Sequence, residues 1–176
     1  MTKIVSNIIQ NFSVFCQGKE NSMITIYTDG ACSKNGQKDA SGGFGVVVLE
    51  NNKPIKFYAK RSIETTNNRE ELKAILYSLF NYGKHSPTVT VYSDSAYAIN
   101  TLTNWMFGWA RNGWIKSDKK TPENLDLIKP YYDHLNKGYK IDLVKVPGHS
   151  GVLWNEVADK LATGQLTEED AYAKYC

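Results

Sequence analysis

The chain has 176 residues, of which 41% are hydrophobic and 22% charged, a balance that suits one compact domain and excludes a disordered, fibrous or repeat protein. Its 21 Lys and Arg against 18 Asp and Glu leave a net charge of +3, too small by itself to specify a nucleic-acid partner. The longest apolar run, Val46 to Leu49, falls far short of the ~18 residues a membrane span needs, and Cys16, Cys32 and Cys176 have no metal-ligand spacing and cannot all pair, so a soluble, cytoplasmic chain with free thiols is expected.

Residues 1–22 stand apart from the rest. Ile4, Val5, Ile8, Ile9, Phe12, Phe15 and Cys16 recur at helical spacing until Gly18-Lys19-Glu20-Asn21-Ser22 breaks the pattern, and the stretch lacks Arg and a secretory apolar core. It reads as an amphipathic N-terminal extension, or as sequence upstream of a start at Met23, because Gly18-Lys19-Glu20 must be encoded by purine-rich codons resembling a bacterial ribosome-binding site. From Met23 the periodicity predicts strands at 23–29, 44–50, 55–62, 88–93 and 140–146. The first three are joined by loops too short for helices and should be antiparallel neighbours; the last two follow helices and should run parallel to the first. The expected fold class is therefore α/β, a mixed five-stranded sheet flanked by helices. Between strands three and four, a helix capped at Thr65-Thr66-Asn67-Asn68 buries Leu72, Ile75, Leu76 and Leu79 and stops near Gly83. A second helix is expected from a Thr121 cap with Pro122 at its first position, kinked or divided at Pro130, and a last helix carries Trp154, Val157, Ala158, Leu161 and Ala162 up to Gly164.

Candidate chemistry gathers at the strand ends. Asp29 closes the first strand and Asp94 the fourth; if those strands are parallel neighbours, both carboxylates emerge at the carboxyl edge of the sheet, where α/β proteins bind ligands. Side by side they repel unless a cation lies between them, and hard oxygen donors suit Mg²⁺ or Mn²⁺. Taken singly, each Asp also reads as a turn or helix cap. Of the neighbours Glu70 and Glu71, the apolar stripe places Glu71 at its border and Glu70 more squarely in water. Asp159 lies one turn after Asn155, and His149 sits in the loop Pro147-Gly148-His149-Ser150-Gly151, where an imidazole could serve as general acid or base or simply be exposed. Trp105, Trp109 and Trp114 fall within ten residues, interleaved with Arg111 and followed by Lys116, Lys119 and Lys120, with Asp118 the one acid. Basic groups hold phosphates and indoles stack on bases, so the segment reads as a nucleic-acid handle, with a core-packed Trp stripe as the plainer alternative.

In order along the chain, Tyr27-Thr28-Asp29-Gly30-Ala31-Cys32, Thr66-Asn67-Asn68-Arg69-Glu70-Glu71, Tyr92-Ser93-Asp94-Ser95, Thr103-Asn104-Trp105, Gly113-Trp114, and Val146-Pro147-Gly148-His149-Ser150-Gly151 followed by Asn155 to Asp159 resemble the type 1 ribonuclease H family over residues 23–163. The resemblance implies a ribonuclease H-like fold with a catalytic domain at 23–165 and a C-terminal tail at 166–176. It implies that Asp29, Glu71, Asp94 and Asp159 bind two Mg²⁺ ions, with Mn²⁺ as a substitute, and that His149 assists the attacking water or product departure. The implied activity is endonucleolytic hydrolysis of the RNA strand of an RNA-DNA hybrid, giving 5′-phosphate and 3′-hydroxyl ends, by a monomer with no membrane partner. Substrate contacts are implied for Cys32, Asn35, Thr66, Asn67 and Asn68, for Trp105, Trp109 and Trp114, and for Lys116, Lys119, Lys120 and Asn155. Two features depart from many bacterial members. The stretch Ser33 to Ser41 is longer and lacks Pro, closer to the eukaryotic type, and Ala96 stands where several relatives carry Gln. A hybrid-binding module without catalysis would gain by discarding four acids that face an anionic substrate, and the exonucleases of the same fold want Asp-x-Glu where this chain has Asp29-Gly30-Ala31.

Overall fold

The computed structural model describes residues 22–176, so the reading of the N-terminal segment lies almost entirely outside the described residues. Five strands form one sheet: β1 (Ile24–Ser33), β2 (Ser41–Glu50), β3 (Lys53–Ile63), β4 (Val89–Ser93) and β5 (Ile141–Lys145), in the order β3-β2-β1-β4-β5. β1 pairs antiparallel with β2 and β2 with β3, while β4 runs parallel to β1 and β5 parallel to β4, as the connection lengths require. The helices are α1 (Asn67–Tyr82), α2 (Ala96–Asn100), α3 (Met106–Arg111), α4 (Leu125–Asn136), α5 (Leu153–Thr163) and α6 (Glu168–Tyr175), with a π-helical turn at Thr101–Trp105 joining α2 to α3.

The sheet separates two cores. On one side Ile24, Ile26, Val46 and Val48 meet Leu72, Ile75 and Leu79 of α1 together with Ile128 and Tyr131 of α4. On the other, Val47, Leu49 and Phe57 meet Val157, Ala158 and Leu161 of α5 and Ala171 of α6. The alternation Val46, Val47, Val48, Leu49 thus feeds both cores, which is why β2 reads as an unbroken apolar run.

Asp29 does not close β1: the strand continues to Ser33 against β2, and only its pairing with β4 ends beforehand, at Thr28 opposite Ser93. α4 begins at Leu125 with Asn124 as cap rather than at Thr121 and Pro122, because Arg69 of α1 holds both Asn124 and Asp126 and so sets the helix start from outside the segment. Pro130 does not divide α4, which runs through it to Asn136, forgoing the one backbone bond its missing N–H would have made. Residues 166–176 carry α6, docked on the outer edge of β3, so α5 is not the last helix: the Phe57 N–H donates to Tyr172 Oη (3.2 Å) and the Ala59 N–H to Glu168 Oε1 (2.8 Å).

Candidate active site

Asp29 and Asp94 each stand one residue beyond the last pair of the β1–β4 ladder, so the parallel register brings them side by side where the two strands part. Below them Tyr27 and Tyr92, partners in the same register, stack at 4.9 Å and brace the strand ends. α1 approaches from one face of the sheet. Thr66 caps it, its hydroxyl accepting from the Arg69 N–H at 3.2 Å, and the peptide between Glu70 and Glu71 rests on Gly30. A Cβ at Gly30 would come within 2.5 Å of the Glu70 carbonyl carbon and overlap the Glu71 nitrogen, so only glycine lets helix and strand meet this closely. α5 approaches from the opposite face with Asp159, near enough that its charge helps to raise the Asp29 carboxyl.

Asp29, Glu71 and Asp94 offer carboxylate oxygens that all lie within 4.8 Å of one another. Asp159 stands at the rim of this set rather than within it. Burial pushes the Asp29 carboxyl far above the usual carboxylate range, and the charges of Glu71, Asp94 and Asp159 push it further. Glu71 is raised in the same way by burial and then by Asp94, partly offset by the Gly30 N–H donating to it. A divalent cation fits this arrangement: the donors are hard oxygens of one sign, and Glu71 Oε2 is buried with no hydrogen-bond partner among the described residues. Such a cation would relieve the repulsion and satisfy that oxygen.

The remaining candidates are distributed unevenly. His149 is exposed, with φ of 51°, in a loop whose Gly148 backbone abuts Asp94: a Cβ there would sit 2.7 Å from Asp94 Oδ2. Asn35, Thr66, Asn67 and Asn68 gather at the start of α1, where Asn35 Oδ1 accepts from the Asn67 N–H (3.1 Å) and a cavity is lined by Asn35, Thr66 and Asn68 along with Glu123 and Asn124. The Cys32 thiol donates to the Thr65 carbonyl oxygen at 3.4 Å. Trp105 is 42% exposed at the end of the π-helical turn, edge-on to Tyr97, whereas Trp109 and Trp114 are half-buried against the main core, Trp114 edge-on to Tyr132 at 5.3 Å. Lys116 pairs with Asp118 (3.4 Å), and Lys119 and Lys120 are exposed beside it. Asn155 is 3% exposed, with its Oδ1 unpartnered among the described residues, so it is an interior group rather than part of an open surface.

Glu70 departs from the expectation that it points to water. It is fully buried, accepting from Thr65, Lys73 and Ser62. The signal for this is the row Glu70, Ala74, Ser78 at i+4 spacing, all buried; small residues let that side of α1 press on the sheet, and neither Ala nor Ser registers as an apolar stripe. Gly30 falls outside the predicted strand 23–29 and enters the strand only because β1 runs on to Ser33.

The family model for RNase H matches residues 21–167. The ribonuclease H of Orientia tsutsugamushi (strain Boryong) is 40% identical over 159 residues, 90% of this chain and 91% of that one. That of Acetivibrio thermocellus is 40% identical over 146 residues, 81% of this chain and 94% of its own. Among solved structures, LC9-RNase H1, a type 1 RNase H with the type 2 active-site motif, aligns with a TM-score of 0.69 at 26% identity over 85% of this chain and 76% of that one. The foamy viral protease-reverse transcriptase solved in complex with RNA/DNA hybrid shares the fold, with a TM-score of 0.72 at 22% identity over 86% of this chain and 20% of its own.

Proposed function

This chain belongs to the ribonuclease H family, and on that footing we propose that it is a monomeric cytoplasmic endonuclease that hydrolyses the RNA strand of RNA-DNA hybrids and leaves 5′-phosphate and 3′-hydroxyl ends. The observation that carries the reading is the convergence of the Asp29, Glu71 and Asp94 oxygens within 4.8 Å, one of them buried and unpartnered. When bound, two Mg²⁺ ions, or Mn²⁺ in their place, supply an activated water at neutral pH and charge stabilisation at the departing 3′ oxygen.

The protein's own part is to hold and to place. Asp29, Glu71 and Asp94 form the cation-binding set, and Asp159 extends it from α5. His149, on a loop seated against Asp94, is the group free to swing toward the reacting phosphate and shuttle a proton as product leaves. The cluster at the start of α1, with Cys32, Asn35, Thr66, Asn67 and Asn68, faces the hybrid and reads the 2′-hydroxyl that separates RNA from DNA. Trp105 offers an exposed indole to the DNA strand, and Lys119 and Lys120 hold phosphates. α2 starts two residues after Asp94, so at about 1.5 Å per residue Trp105 lies roughly 15 Å along the helical stretch, a few nucleotides from the carboxylates.

The test is to incubate labelled RNA-DNA hybrid, duplex DNA and duplex RNA with the protein, with Mg²⁺ and with chelator. Internal cuts confined to the RNA strand of the hybrid, dependent on Mg²⁺ and bearing 5′-phosphates, are expected. Cleavage that persists in chelator, or that takes the DNA strand, overturns the proposal.

A further inference from the structure

We infer that Glu70 is a positioning residue for the cation-binding carboxylates, acting through the peptide that joins it to Glu71; the inference rests on the function proposed above. Its carboxylate has no solvent exposure, an expensive state for a charge, which an apolar side chain of similar size would avoid. Three donors from three places hold it. Thr65 Oγ1, in the connection between β3 and α1, donates at 2.5 Å to Oε1; Lys73 Nζ, one turn further along α1, donates to the same oxygen at 2.6 Å; Ser62 Oγ, near the end of β3, donates to Oε2 at 3.2 Å. Lys73 Nζ also donates to Ser62 Oγ at 3.1 Å, closing the network. Ser62 and Thr65 lie outside α1, and Lys73 reaches from the helix to Ser62, so the network fastens the start of α1 to the end of β3 and to the connection that leads into the helix.

That position matters because of what lies next to it. The Glu70–Glu71 peptide is pressed on Gly30, the neighbour of Asp29, so the seating of the first turn of α1 on β1 sets the separation of the Asp29 and Glu71 carboxylates. Ionised together, as cation binding requires, those two groups repel and push the helix off the strand, and the Glu70 network opposes them. A second tie acts in the same place, from Cys32 Sγ of β1 to the Thr65 carbonyl. Outer groups that orient ligands typically change cation affinity about ten- to a hundred-fold when removed, and Glu70 does this through the backbone rather than by touching a ligand side chain.

The experiment is calorimetric titration of Mn²⁺ into the full chain without substrate, for the wild type, Glu70→Gln, Thr65→Val, Thr65→Ser and Asp29→Asn, with Tm recorded for each. Glu70→Gln keeps the size but turns an amide toward the Thr65 hydroxyl and the Lys73 ammonium, and is expected to weaken Mn²⁺ binding at least about ten-fold. Thr65→Val removes one donor and leaves the carboxylate, so it should weaken binding several-fold, and Thr65→Ser should restore it. Thr65→Val and Thr65→Ser carry the comparison if Glu70→Gln does not fold. Wild-type affinity in Glu70→Gln or Thr65→Val, with only Tm lowered, overturns the positioning role. Wild-type affinity in Asp29→Asn would instead remove the cation site itself, and the proposed function with it.

Discussion

Asp29 and Glu71 are carboxylates placed where each opposes the ionisation of the other, and this has a measurable consequence without cations. Both are raised above the ordinary carboxylate range, chiefly by burial and then by neighbouring charge. The folded chain therefore keeps protons that the unfolded chain has already released, so what these two groups contribute to metal-free stability is fully present at about pH 4 or below and is lost as pH rises through the raised native values. Calorimetry in chelator at about pH 5 and about pH 8 should show Tm lower at the higher pH, and Mg²⁺ should recover most of the difference. Asp29→Asn should abolish cleavage while raising the metal-free Tm near neutral pH by about 2–4 °C for each kcal/mol of repulsion relieved, and flatten the pH slope. A wild-type Tm that climbs across that window would contradict the burial of these charges. At this scale, periodicity is a good guide to Glu71 and a poor one to its neighbour. It counts apolar residues, and the ridge that buries Glu70 is made of Ala74 and Ser78.

Among the elements, the stretch from α2 through the π-helical turn to α3 sorts three similar tryptophans into different tasks. Trp105 is open to solvent, while Trp109 and Trp114 pack on the main core. Trp105→Ala should weaken hybrid binding by about 1–3 kcal/mol with Tm unchanged, the loss of one stacked base. Trp114→Ala should lower Tm and leave the affinity of the surviving folded protein nearly intact; binding and thermal melts on the same preparations separate the two. α6 makes a prediction of its own. It caps the Phe57 and Ala59 N–H groups of β3, an edge strand that would otherwise present unpaired donors to other chains. Removing residues 166–176 should lower Tm by several degrees and produce self-association that grows with protein concentration, read by sedimentation velocity; a truncated chain that stays as monomeric as the parent would show the edge needs no guard. None of this was visible in residues 166–176 alone, whose apolar groups gain meaning only against Phe57.

Across the whole molecule, a charge of +3 is a weak field, so binding to a polyanion must come from local placement of basic groups. Replacing Lys119 and Lys120 with Ala should flatten the dependence of hybrid affinity on salt by at most about one phosphate contact each, measured as the slope of log Kd against log salt concentration; an unchanged slope would make that loop a merely solvated one. The sequence by itself determined the five strands, their pairing and the position of the carboxylates along the chain, because strand periodicity and connection length leave few topologies open. It also determined the family, through motifs held in order. Only the tertiary structure decided that Asp29, Glu71 and Asp94 meet within 4.8 Å with Asp159 at their rim, that Glu70 is interior, and where α4 begins. Each of these depends on contacts between residues far apart in the chain: the register of Thr28 with Ser93, the seating of α1 on Gly30, the grip of Arg69 on Asp126. Local pattern encodes which way a side chain faces on its own element, but not what another element brings against it.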